Sequence, residues 1–94
     1  MSDKQFLRNK IVRKMLKRGV TGGHKETVDT VVSKSGVASH NEGKAKKAVE
    51  ELIQNGPVEG YGGGARQNVR LQSVPAAVDY LDDNDGDIPF GFGD

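Results

Sequence analysis

The sequence predicts one small α+β domain: three short helices and a β-hairpin, then a short C-terminal helix and a disordered acidic tail. Three observations carry that expectation. Apolar residues recur at helical spacing as far as Ile53 and at period two from Val58 onward. Glycines punctuate the breaks between these runs, at Gly19, Gly36 and Gly56. Finally, 94 residues with 34% apolar and 5% aromatic side chains suffice for one thin, aliphatic core and rule out two domains. The ordered domain is expected to span residues 1–81 and the tail residues 82–94.

Each element follows from its own residues. Between Asp3 and Arg18 the positions Leu7, Ile11, Val12, Met15 and Leu16 make one helical stripe, and Gly19 ends it. Lys10, Arg13, Lys14 and Lys17 give that helix a basic back. After the Thr21-Gly22-Gly23 loop, Val28, Val31 and Val32 mark a second helix from about Lys25 to Lys34. Its β-branched residues make it dependent on packing. Ser39-His40-Asn41-Glu42 has the form of a capping box, which predicts that a third helix begins there. Ala45, Ala48, Val49, Leu52 and Ile53 form its buried stripe, and Asn55-Gly56-Pro57 stops it. Projection at 100° per residue gathers His40, Gly43, Lys44 and Lys47 on the opposite face, with Glu50 and Glu51 further along. The alternation in Val58–Val74 then reads as a hairpin with a glycine-rich loop, Gly62 to Gln67. Ser73 with Pro75 opens a last short helix through Val78 and Leu81. Beyond Asp82 the composition is Asp, Gly and Asn around an isolated Ile-Pro-Phe-Gly-Phe, too little apolar surface to order itself.

The near-zero net charge conceals a division. All 14 Lys and Arg lie in residues 1–78 beside seven acids, a net of +7, whereas residues 79–94 hold six Asp and no base. A basic body of this kind suits a polyanion and the acidic tail suits recruitment or regulation, the alternative being that both are solubilising charge. The lack of Cys excludes a disulfide framework, a thiolate nucleophile and a Cys-based zinc site. A cytoplasmic protein is expected, since the N-terminus has no signal-peptide stretch and no segment approaches a membrane span. His24 and His40 are not spaced as zinc ligands, so no metal is expected and no cofactor is implied. The serines sit in no nucleophile-elbow context, and an enzyme is not expected. Gly60–Gly64 is followed by a strand rather than the helix a phosphate loop requires. Aligning Asp83–Asp87 with a calcium loop puts Leu81 and Phe92 at ligand positions, which excludes it.

The pattern Ala45-x-x-Ala48-Val49-x-x-Leu52-Ile53-x-x-Gly56-x-Val58, entered through Ser35-Gly36-Val37 and left into a glycine-rich hairpin, resembles the recognition-helix to wing junction of winged helix-turn-helix domains. The likeness spans residues 5–81. From Gly36 to Ala45 the chain has about three residues more than the tight form of that turn. The resemblance implies a winged helix whose third helix enters the major groove of duplex DNA while the wing touches backbone. The residues agree with that. His40 and Asn41 suit base edges, Lys44, Lys47 and Arg66 suit phosphates, and Lys14 and Arg18 suit supporting backbone contacts. Glu50 and Glu51 are expected to point away from the duplex. The function so implied is sequence-specific DNA binding by a small transcriptional regulator, with a homodimer left open.

A second reading starts in the tail. Asp85-Gly86-Asp87-Ile88-Pro89-Phe90 is similar to the acidic tip with which bacterial single-stranded DNA-binding proteins recruit partners, although four residues follow Phe90 here. That likeness implies a replication or repair accessory that docks a protein partner through Asp87, Ile88 and Phe90. A winged helix used only for protein interaction is the third.

Overall fold

Helix α1, Asp3–Lys17, forms where the first apolar stripe lies. Ile11, Val12, Met15 and Leu16 are all buried. It ends in a Schellman turn: the Val20 N–H donates to Met15 C=O at 3.1 Å and the Gly19 N–H to Leu16 C=O at 3.2 Å. Gly19 takes φ +69° to close it, a conformation that costs a residue without Cβ very little. The computed structural model describes residues 3–62 and 67–91 of the chain.

The second helix starts later than expected. Glu26–Thr27 is a two-residue strand, β1, and α2 occupies Val28–Lys34. Thr27 decides the boundary: its backbone is extended and its hydroxyl accepts from the Thr30 N–H at 3.2 Å, which caps α2. Val31 and Val32 are buried, and Ser35 ends the helix by donating from its hydroxyl to Val32 C=O at 2.7 Å.

The expected capping box does not form. Ser39–Asn41 is a single 3-10 turn and α3 runs Glu42–Asn55, with no side-chain bond capping its start. The extra residues between Gly36 and Ala45 are spent on this turn, closed by the Asn41 N–H on Ala38 C=O at 2.8 Å. Ala45, Ala48, Val49 and Leu52 are buried as their spacing requires.

Strands β2, Val58–Tyr61, and β3, Asn68–Leu71, form the hairpin in the register Val58↔Leu71, Glu59↔Arg70, Gly60↔Val69 and Tyr61↔Asn68. β1 pairs with the other edge of β3, which gives a three-stranded antiparallel sheet of order β1-β3-β2. The Leu71 N–H also donates to Val20 C=O at 2.7 Å, so the end of α1 and the sheet share one edge. Helix α4, Val74–Asp83, is capped by the Ser73 hydroxyl on the Ala76 N–H at 3.1 Å, with Pro75 in the first turn.

The described residues thus make four helices and one three-stranded antiparallel sheet around a single core. That core is aliphatic apart from Met15, with Val20, Val58, Val69, Leu71, Ala77 and Leu81 joining the helix stripes.

The segment expected to be disordered from residue 82 differs from that expectation as far as Gly91. α4 continues through Asp83, the Asn9 side-chain amide donates to Asn84 C=O at 3.0 Å, and the Gly86 N–H donates to Leu81 C=O at 2.7 Å. Ile88 then packs against the core and Pro89 is buried. A polar anchor precedes the apolar pair, so a segment poor in apolar residues holds its course over α1 and α4.

Candidate nucleic-acid interface

Because Ala45, Ala48, Val49 and Leu52 turn one side of α3 into the core, the 3.6-residue period puts Gly43, Lys44, Lys47 and Glu50 outside, where all four are exposed. Lys44 and Lys47 make no ion pair among the described residues. Lys46 is committed elsewhere, 3.1 Å from Asp29 on α2. His40 lies exposed in the 3-10 turn, and Asn41 is half-buried where that turn meets α3.

Lys44 and Lys47 also border a groove of about 630 Å³ between the first half of α1 and the α2–α3 connection. Lys4 and Lys10 stand on the α1 side, and Phe6 and Val37 supply apolar floor. Lys10 Nζ donates to Gly36 C=O at 3.4 Å, which ties the two walls together. This alignment depends on how α1 crosses α3, which the period of a single helix does not carry.

The other expected contacts are distributed differently. Arg18 is already engaged: both of its terminal nitrogens donate to the two Glu26 carboxylate oxygens, pinning the end of α1 to β1. That pairing raises the Arg18 pKa and holds the Glu26 carboxyl below its ordinary range. Arg18, expected as a supporting backbone contact, is thus ion-paired to Glu26, unlike Lys44 and Lys47. Lys14 is half-buried in the last turn of α1 and does not line the groove. Arg66 lies outside the described residues. Of the tail residues, Asp87 is exposed, Ile88 faces the core, and Phe90 is 104% exposed.

Glu51 is half-buried on α3. It lines the same groove as Lys47 and binds Arg8 at 2.9 Å, and that guanidinium keeps its carboxyl below the usual range.

A cluster beside the hairpin loop was not foreseen. The Tyr61 ring lies 4.8 Å from Lys25 Nζ and 4.8 Å from the Arg70 guanidinium carbon. Its hydroxyl donates to Glu59 at 2.5 Å, and Arg70 reaches Glu59 at 3.3 Å and Gly22 C=O at 2.5 Å. That hydrogen bond raises the Tyr61 pKa and lowers that of Glu59. Once the hairpin register is known, Arg70 opposite Glu59 and diagonal to Tyr61 follows, so pairing the strands was the missing signal.

Comparison of the chain with family models, curated proteins and solved structures finds no match. Among the described residues no helix is long and apolar enough to cross a membrane, and no three His, Asp or Glu side chains converge as a metal site would need.

Proposed function

We propose that this chain is a winged-helix protein that binds duplex DNA, with α3 in the major groove and the β2–β3 loop against the backbone, acting as a small transcriptional regulator. One observation carries the reading: the outward face of α3 presents Gly43, Lys44 and Lys47, exposed and without ion-pair partners among the described residues. The element order and the β1-β3-β2 sheet are compatible with a winged-helix arrangement. In this reading His40 and Asn41 meet base edges, Lys44 and Lys47 neutralise phosphates, and Lys14 and Arg66 add backbone contacts. Arg18 acts indirectly by holding α1 on β1 through Glu26. Gly43 allows the helix backbone to come close to the duplex.

The test is a salt titration with random duplex DNA, followed residue by residue. With roughly three to five phosphate contacts, log K should fall against log salt with a slope of about −3 to −5. Shifts should centre on residues 40–47. No binding at low salt, or shifts confined to the far side of α1, would falsify the reading.

Protein recruitment through the tail is supported by a different observation, the full exposure of Phe90. It predicts loss of a partner, and not of DNA affinity, when Phe90 is replaced.

A further inference from the structure

The groove beside α3 and the tail are opposite in charge, and each presents an exposed phenylalanine. Around the groove stand Lys4, Lys10, Lys44 and Lys47 against the single acid Glu51, which Arg8 already neutralises. Phe6, which lines the groove, is 62% exposed. At the other end of the chain Phe90 is fully exposed, preceded by Asp85 and Asp87, both also exposed. These two phenylalanines, with Val74, are the exposed large hydrophobics among the described residues.

We propose that the groove takes the Asp85–Phe90 segment of a second copy of this chain. Phe90 of one copy lies on Phe6 and Val37 of the other, and the aspartates face the lysine rim. The occupant is a second copy because each tail is anchored on its own body: Asn84 is held by Asn9, Gly86 by Leu81, and Ile88 and Pro89 are turned inward. With those anchors in place Phe90 is left fully exposed to solvent. One seated aromatic and its flanks bury far less than the roughly 1,000 Å² of a stable interface, so the association is weak and transient. Its charged part weakens as salt rises, since at about 0.15 M the Debye length is near 8 Å. This inference shares Lys44 and Lys47 with the DNA reading but does not rest on it.

Sedimentation equilibrium of the full chain, without DNA, tests it at concentrations up to about 1 mM, where contacts of this strength half-form. The wild type should self-associate at low salt and less at high salt. Phe90→Ala should weaken association by about tenfold or more, as loss of a seated aromatic does, and so should the pair Lys44→Glu with Lys47→Glu. These side chains are exposed, and unchanged melting curves establish that the variants fold. The decisive arm mixes the two variants. One retains a groove and the other a tail, so the mixture should form a 1:1 complex that neither variant forms alone. A monomeric wild type at every salt concentration overturns the proposal, as does association that survives Phe90→Ala or a mixture that stays monomeric. Failure of DNA binding in the separate titration leaves these outcomes unaffected.

Discussion

Residues that look equivalent in a list of cations differ in what surrounds them. Arg18 and Lys47 both carry a full positive charge, yet Arg18 is gripped by Glu26 with both partners largely shielded, while Lys47 stands in solvent. Replacing Glu26 by Gln should therefore destabilise the fold by about 1 to 2 kcal/mol at neutral pH, the range for a charge-assisted pair that is partly shielded. The pH dependence has a definite sign. The Glu26 carboxyl is held below its ordinary value of 4.5 in the folded protein, so its contribution is complete above that value and is lost as pH falls through the depressed folded value. Urea unfolding from pH 7 to pH 2 should show wild type and Glu26→Gln converging at the acid end. A constant gap across that range would show that the ion pair is not the cause.

At the scale of elements, α3 connects the core to the proposed interface. Lys44→Ala and Lys47→Ala should weaken binding to all duplexes alike, each reducing the salt slope by about 1. His40→Ala or Asn41→Ala should instead lower the preference for a selected site by about 1 to 3 kcal/mol. Competition binding with selected and random duplexes separates the two patterns. The far end of the same helix carries a stability prediction. A Cβ on Gly56 would sit 2.9 Å from Leu52 C=O and 2.9 Å from Leu52 Cδ2, a side chain already buried. Gly56→Ala must shift the last turn of α3 or the entry to β2, and should cost about 1 to 3 kcal/mol in chemical denaturation. An unchanged midpoint would mean that the junction yields freely.

The whole molecule joins its two ends, because the residues after α4 lie on α1. Truncation after Leu81 removes the Asn9–Asn84 and Gly86–Leu81 hydrogen bonds and the Ile88 contact with the core. Stability should fall by about 1 to 3 kcal/mol. A tail free in solution would leave the urea midpoint where it was. The same truncation deletes five aspartates, so the proposed DNA affinity at low salt should rise while the fold weakens. Measuring both on one variant distinguishes an electrostatic role for the tail from a structural one.

Much of this was legible in the sequence because it depends on local periodicity and on chain chemistry. The stripe Ile11-Val12-Met15-Leu16, the stop at Gly19, the switch to period two at Val58 and the Ser73-x-Pro75 start of α4 are short-range instructions, and the structure follows them. The basic outer face of α3 follows from the same arithmetic, since burying Ala45, Val49 and Leu52 leaves Lys44 and Lys47 outside. Tertiary structure decided whatever required two distant segments to meet. Glu26 and Thr27 became a strand because β3 lies beside them, and Ser39 joined the turn that connects α2 to α3 instead of capping a helix. Arg18 was withdrawn from the free cations by Glu26, Lys10 was brought to the α3 lysines by the crossing of α1, and Ile88 found a core its own segment could not build. Pattern within a helix is set by its own period, whereas the partner of a charge or of an apolar side chain is set by packing, which a single chain read in order does not display.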